Sequence, residues 1–148
     1  SDEPYCEELA KAITTEIRKG NRIDTTTKLR NVIEKTLDFL PNNKEKKDII
    51  KKTCQRTFQA LRIDVNNEFE VLYEFMEKLP GALKPGGRVA ILTFHSGEDK
   101  LVKKALKAGY KEGIYSEYAR DVVRPSAQEC AQNGRARSTK MRWAVKAE

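Results

Sequence analysis

The strongest constraint on the fold is a nearly continuous apolar run, Arg-Val-Ala-Ile-Leu-Thr-Phe, at residues 88–94. It directly follows the turn residues Pro85, Gly86 and Gly87. A short apolar run bounded by turn residues is typical of a strand that is buried on both faces. Such strands belong to sheets that helices cover. The run therefore predicts an α/β arrangement in the second half of the chain.

The remaining hydrophobic pattern divides the chain into a helical first part and an α/β second part. Apolar residues recur at helical spacing, and turn residues such as Gly20 and Pro41 separate the segments. The predicted helices cover residues 4–19, about 25–37, 44–60, 67–79 and 97–108. The other predicted elements are a short strand at 121–123, a helix at 126–132 capped by Ser126, and a strand at 141–147. We therefore place a helical subdomain at residues 1–60 and an α/β subdomain at residues 61–148.

The composition excludes several classes of protein. Hydrophobic residues make up 39% of the 148 residues and charged residues 34%, and no window approaches the roughly 20 apolar residues of a membrane-spanning helix. The acidic opening of the chain lacks the apolar stretch of a signal peptide. Cys6, Cys54 and Cys130 lie far apart and form no CxxC pair, which favours a reducing compartment. We therefore expect a cytoplasmic protein, or an organellar one in a eukaryote, with no membrane association.

The net charge of +7 is compatible with two interpretations, a polyanionic partner and a solvated, lysine-rich surface. Residues 1–57 carry 13 basic and 10 acidic side chains, and residues 119–148 carry 7 and 3, so the excess lies at the two ends. Arginine dominates the basic residues of the tail, and its planar guanidinium group suits phosphate. The tail therefore favours a polyanionic partner such as nucleic acid, which we expect to contact both ends of the chain.

Three long segments, at residues 53–68, 85–100 and 124–142, carry more information than their secondary structure. Together they closely resemble the RsmH/MraW family of methyltransferases, whose usual patterns are RxFQALRIxVNxEL, PGGRxxxxSFHSLEDRxVK and PSxxExxxNPRSRSAKLR. The opening Tyr-Cys-Glu-Glu at residues 5–8 is similar to the YGEE of that family. The resemblance covers almost the whole chain. The main departures are Cys6 for Gly, Thr93 for Ser, Gly97 for Leu, Lys100 for Arg and Gly134 for Pro.

The resemblance implies an S-adenosylmethionine-dependent enzyme that methylates N4 of a cytosine in small-subunit ribosomal RNA. It also implies that this chain is the C-terminal half, a helical insertion followed by the C-terminal part of a Rossmann-like methyltransferase sheet. Such enzymes hold the cofactor by a Gly-rich loop after a strand, whereas the glycine pair Gly86-Gly87 precedes one. We therefore expect no methyl transfer by this chain alone. The alternative is a non-enzymatic RNA-binding or ribosome-assembly module that retains this half of the fold.

His95, the only histidine, follows the apolar strand at the edge where open α/β sheets bind ligands. Its alternative role is that of a helix cap. Ser96 is a second candidate for the N-cap, with Asp99 at the capping-box position. Amine methylation requires an oriented base and acceptors for the amino hydrogens. The candidate catalytic residues are His95, Ser96, Glu98 and Asp99.

The resemblance implies further contacts to substrate and cofactor. The substrate-binding candidates are Phe94, Pro125, Ser126, Asn133, Arg135, Arg137, Lys140 and Arg142. The four basic residues are predicted to contact phosphate, and pairing with Glu129 or Asp121 is the alternative for some of them. Arg62, Asn66 and Asn67 are candidates for the cofactor cleft, with structural hydrogen bonds as the alternative, and no metal site is predicted. The predicted partners are ribosomal RNA or the small ribosomal subunit and, because half a sheet exposes an edge, a second copy of the chain in a homodimer.

Overall fold

The computed structural model describes residues 3–148, and the chain divides into two compact units between Asn66 and Asn67. The first unit is helical, and the second combines helices with a three-stranded sheet. This order agrees with the prediction of a helical part followed by a part with helices and a sheet, while the assignment to a Rossmann-like domain stays a prediction. The predicted boundary after residue 60 falls inside a helix that continues to Val65. None of the helices within residues 3–148 is long and apolar enough to cross a membrane.

Three helices form the first unit: α1 (Cys6–Arg18), α2 (Thr26–Thr36) and α3 (Lys44–Val65). The side chains of Thr25 and Asn43 cap α2 and α3, each accepting a hydrogen bond from a backbone N–H three residues further on. Such caps satisfy backbone groups that have no partner within a helix. Each helix turns an apolar stripe inward, and the buried core consists of Leu9, Leu29, Ile33 and Leu37.

A buried carboxylate ties the start of the described chain to α3. The side chain of Glu3 is only 3% exposed. Its carboxylate accepts hydrogen bonds from the Thr53 hydroxyl at 3.3 Å and from the Arg56 guanidinium at 3.2 Å. A buried charge is costly unless it is paired and hydrogen-bonded. Arg56, the first residue of the RxFQALR motif, therefore has a structural role in this unit.

The second unit contains four helices and three strands. In chain order they are α4 (Glu68–Ala82), β1 (Arg88–Thr93), α5 (Ser96–Lys111), β2 (Tyr115–Tyr118), α6 (Ala127–Gln132), a 3₁₀ helix (Gly134–Ser138) and β3 (Lys140–Lys146). The strands lie in the order β1-β3-β2, and both pairs are antiparallel. The prediction that residues 88–94 and 141–147 share one sheet is therefore confirmed.

The second core lies between this sheet and the helices α4 and α5. Its buried residues are Met76, Leu79, Val102, Leu106, Tyr115 and Ala144. Val89 and Ile91 of β1 pack against this core. Leu92, on the opposite face of β1, is 58% exposed. The prediction that β1 is buried on both faces is therefore wrong for the described chain, because residues 3–148 cover only one face of the strand.

Two details of the second unit differ from the sequence predictions. The strand β2 was not predicted, and its position depends on Gly109, where an added Cβ would lie 2.6 Å from the ring of Tyr115. The predicted strand at 121–123 is a single bridge between Val123 and Met141. The predicted cap of α6 is confirmed, since Ser126 Oγ accepts a hydrogen bond from the N–H of Glu129 at 3.1 Å.

Candidate active site

His95 lies in the two-residue connection between β1 and α5 and is the N-cap of α5. Its Nδ1 accepts a long hydrogen bond, 3.4 Å, from the backbone N–H of Glu98. In return, Glu98 Oε2 accepts a hydrogen bond from the N–H of Phe94 at 3.0 Å. This reciprocal pair resembles a capping box. The prediction of Ser96 as the cap is wrong, because Ser96 is the first residue of the helix.

The second ring nitrogen of His95 faces the same glutamate. Because Nδ1 accepts a hydrogen bond, the hydrogen-bond pattern assigns the proton of a neutral ring to Nε2. Nε2 lies 3.5 Å from Glu98 Oε1, is buried, and has no hydrogen-bond partner within residues 3–148. The imidazole is therefore placed to orient the carboxylate, and Glu98 Oε1 remains available as an acceptor.

Phe69 of α4 holds the other side of the imidazole. The two rings meet edge to face, with centroids 5.8 Å apart and an interplanar angle of 86°. Gly97 makes this approach possible, since an added Cβ would lie 2.8 Å from Phe69 Cζ and 3.1 Å from His95 Nδ1. The family pattern has Leu at both positions, so a larger residue at 69 accompanies a smaller one at 97. The departure at Gly97 was noted from the sequence, but the matching departure at Phe69 was missed. The family pattern VNxEL has Leu at that position, so the sequence could have shown it.

Asp99 and Arg142, both predicted to act on the substrate, bind each other instead. Arg142 Nε lies 2.8 Å from Asp99 Oδ1, and Nη2 lies 3.1 Å from Oδ2. Arg142 Nη1 donates to the backbone carbonyls of Ala119 and Arg120, and the residue is only 5% exposed. The hydrogen bond from Arg142 holds the pKa of Asp99 below its ordinary value. The assignment of Arg142 as a phosphate contact is therefore wrong, and Asp99 is a structural partner.

The other two arginines that were predicted to contact phosphate lie on the surface. Arg135 and Arg137 belong to the 3₁₀ helix, and both are exposed. Their guanidinium groups have no carboxylate partner within residues 3–148. The pairing with Glu129 or Asp121 that we considered as an alternative is therefore not observed for these two residues.

The strand register brings the tail towards the end of β1. Lys140, the first residue of β3, pairs with Thr93, the last residue of β1, and its carbonyl accepts a hydrogen bond from the Thr93 hydroxyl at 3.4 Å. Phe94 follows directly and is 56% exposed. The 3₁₀ helix ends two residues before Lys140, and Asn133 caps it, accepting from the N–H of Arg135 at 3.1 Å. Pro125 and Ser126 lead into α6, where Ser126 serves as its cap.

The three candidates for the cofactor cleft lie at the junction between α3 and α4. The N–H of Asn66 donates to the carbonyl of Arg62 at 3.1 Å and ends α3. Asn67 has a φ of 49°, in the left-handed region that asparagine tolerates better than most residues. Local backbone geometry therefore explains Asn66 and Asn67, and their role towards a cofactor stays a prediction.

Glu68, His95 and Glu98 form a cluster that sequence analysis did not find. One potential ligand atom of each lies within 4.8 Å of the others. One nitrogen and two carboxylate oxygens are a set that divalent cations accept. A metal bound at Nε2 would, however, shift the proton of a neutral ring to Nδ1. Nδ1 could then no longer accept the hydrogen bond from the backbone N–H of Glu98. The cap and a metal therefore compete for His95, while an amine can still donate to the carboxylates.

The fold and this cluster define an α/β protein with a polar candidate active site at the end of a strand. The model of the MraW methylase family matches residues 1–147, and the chain belongs to that family. It is 89% identical over 148 residues to "Ribosomal RNA small subunit methyltransferase H 1" of Agathobacter rectalis, covering 100% of this chain and 42% of that protein. It is 70% identical over 147 residues to the protein of the same name from Lachnoclostridium phytofermentans, covering 99% and 40%. The chain therefore spans about two fifths of the length of these relatives.

Proposed function

We propose that this chain supplies the substrate side of an S-adenosylmethionine-dependent methyltransferase that acts on N4 of a cytosine in small-subunit ribosomal RNA. The family and the names of the relatives support the reaction class and the RNA. The observation that carries the assignment is the Glu98 carboxylate just past the end of β1. The N–H of Phe94 donates to its Oε2, and its Oε1 lies 3.5 Å from His95 Nε2 and is left as an acceptor. The cytosine, its N4 atom and the placement of this chain in the C-terminal half rest on the motif resemblance.

The bound cofactor supplies a methyl group on a sulfonium, which is already a good leaving group. The protein must therefore hold the N4 amine in line with that methyl group and accept the amino hydrogens. Glu98 Oε2 is engaged by the N–H of Phe94, which fixes the carboxylate and leaves Oε1 for an N4 hydrogen. His95 is partly buried beside it and acts as a positioning residue, because its buried Nε2 faces Oε1. The exposed Phe94 is placed to contact the extruded base.

Arg62, Asn66 and Asn67 stay our proposal for contacts to the cofactor, since their amide and guanidinium groups suit hydroxyl and carboxylate partners. We also propose that the chain alone transfers no methyl group. Gly86 and Gly87 form a turn into β1, in which the N–H of Gly87 donates to the carbonyl of Lys84 at 2.8 Å. That turn lies at the start of the strand, away from the edge at which such folds bind nucleotides.

The test is methyl transfer from radiolabelled S-adenosylmethionine to small-subunit ribosomal RNA by the complete gene product that contains this sequence. We expect transfer to cytosine N4, and a loss of about 10²-fold in the Glu98→Gln variant. Glu129→Gln is the matched control, because that side chain is exposed and only the backbone of Glu129 makes hydrogen bonds within residues 3–148. Equal rates for the two variants would remove Glu98 from the mechanism.

A non-enzymatic RNA-binding module is the second candidate, and the exposed, unpaired Arg135 and Arg137 favour it. The same assay separates the two functions. RNA binding by the complete gene product without any methyl transfer would support the binding module.

Leu92 and Phe94 are both more than half exposed on the uncovered face of β1, and such surfaces favour association. We therefore keep the homodimer as a proposal, to be tested by sedimentation at high concentration.

A further inference from the structure

The first unit contains a groove of about 790 Å³ that no step of the proposed reaction uses. Residues of α1, of α2 and of the loop between them line it. Its basic lining residues are Lys11, Lys19, Arg22, Lys28 and Lys35, and Glu16 is the one acidic lining residue among residues 3–148. The volume is within the 300–1,000 Å³ range of ordinary ligand sites.

Most of the positive charge in this groove has no counter-charge from the protein. Lys28 pairs with Asp24 at 2.7 Å, and both side chains are about half exposed. Glu16 Oε2 accepts a hydrogen bond from the Asn21 amide at 2.8 Å. Lys11, Lys19, Arg22 and Lys35 are exposed and have no carboxylate partner within residues 3–148.

The shape and the lining indicate what binds there. Half-buried Ala12, Ile23 and Val32 give the groove an apolar floor. Low-dielectric walls concentrate the field of the surrounding cations. No aromatic residue lines the groove, so it lacks the stacking platforms that bind unpaired bases. A chain of phosphates fits these features better than bases or an aromatic ligand do.

We propose that this groove binds the phosphate backbone of RNA without sequence preference. The proposal rests on the proposed function only in naming RNA as the polyanion, because the site lies outside the candidate active site. It extends the interaction with substrate to the helical unit and assigns it to α1 and α2.

The test compares two charge-matched double variants of the chain in fluorescence anisotropy titrations with single-stranded RNA. The first variant, Lys19→Gln with Arg22→Gln, removes two cations of the groove. The control, Lys51→Gln with Lys52→Gln, removes two exposed cations of α3 that do not line it. Circular dichroism melting verifies that both variants fold.

If the two removed cations each contact a phosphate, the slope of log affinity against log salt becomes shallower by about 1.4, at about 0.7 per contact. That corresponds to a loss of roughly 25-fold in RNA affinity at about 0.1 M salt. The loss should be the same for all RNA homopolymers, and the affinity of the control variant should fall by less than about threefold.

Three results would overturn the proposal: equal losses in both variants, no loss in the groove variant, or no RNA binding by the unaltered chain. Polyglutamate that displaces RNA at matched charge would show that the groove is selective for charge alone and would overturn the assignment to RNA. The proposed reaction is tested separately, because Glu98→Gln should lower methyl transfer by about 10²-fold and changes no residue that lines the groove.

Discussion

The helical unit and the α/β unit differ in how they use polar groups. In the helical unit the core is aliphatic, and the buried carboxylate of Glu3 pairs with a half-exposed arginine. In the α/β unit, Arg142 is buried and uses three guanidinium nitrogens in hydrogen bonds, and His95 keeps a buried nitrogen without a partner. Buried polar groups gain or lose more free energy per contact than apolar ones do. We therefore expect single substitutions to affect the α/β unit more strongly.

The largest expected effect is that of Asp99→Ala. The substitution leaves the Arg142 guanidinium buried, at 5% exposure, without its anionic partner. Breaking a buried pair in this way costs about 3–5 kcal/mol. Urea unfolding of the chain measures the free energy of unfolding. Asp121→Ala, an exposed carboxylate of the same unit, is the control and should change it by less than about 0.5 kcal/mol.

The same pair predicts an acid dependence of stability. The hydrogen bond from Arg142 lowers the pKa of Asp99 in the folded state. A group with a depressed folded pKa stabilises the protein above its unfolded pKa, which is about 3.9 for Asp, and loses that contribution as the pH falls through the folded pKa. Urea unfolding below about pH 4 should therefore show a loss of stability. The Asp99→Asn variant should lack this part of the loss, and an unchanged acid dependence would contradict the prediction.

A smaller effect is expected where Gly97 faces Phe69. A Cβ added at Gly97 would lie 2.8 Å from Phe69 Cζ, so Gly97→Leu overpacks this contact. Such overpacking lowers the free energy of unfolding by about 1–3 kcal/mol. Phe69→Leu alone removes ring contacts with His95 and should also destabilise. The double variant restores the two leucines of the family pattern. We expect its loss in free energy of unfolding to be smaller than the sum of the two single losses by about 0.5–3 kcal/mol, because the two side chains share one space. Strict additivity in urea unfolding would show that the positions are independent.

The comparison of the two units also explains what sequence analysis predicted well. The helices of the first unit follow from local signals: Thr25 and Asn43 cap α2 and α3, and Gly20, with a φ of 84°, ends α1. Ile33 and Leu37, which are fully buried, lie four residues apart in the predicted helix at about 25–37, as helical spacing requires of a core face. Such signals act within a few residues and are visible in one sequence.

The features that were missed in the second unit depend on contacts between distant residues. Arg142 lies among apolar neighbours in β3, and its charge suggested an outward side chain. It faces inward with Ala144, and Asp99, 43 residues earlier, provides the partner. Tyr115 is buried because Gly109 leaves room for its ring. Glu68 and Phe69 join His95 from another helix. Apart from Phe69, where the family pattern has Leu, these pairings have no local signature that a single sequence shows.

The next prediction concerns the tail of the α/β unit. Arg135→Ala combined with Arg137→Ala should weaken RNA binding about equally for all sequences and flatten the salt dependence, because phosphate contacts release counterions. Each lost contact should reduce the slope by about 0.7 for single-stranded RNA. Lys107→Ala with Lys111→Ala, two exposed cations of α5, is the control for loss of charge. An unchanged affinity and slope in the arginine variant would make the tail structural.

The smallest expected effect on binding is that of His95→Asn, which separates the capping role of His95 from its role in the site. Asparagine is a good N-cap, so α5 should keep its stability to within about 1 kcal/mol in urea unfolding. The side chain of His95 is only 15% exposed and faces Glu98, so it is poorly available to phosphate, and generic RNA binding should change by less than about twofold. Methyl transfer by the complete gene product should nevertheless fall, because the imidazole no longer orients Glu98 Oε1. Full activity in this variant would mean that His95 is only a cap and that the family motif preserves it for the fold of the β1–α5 connection.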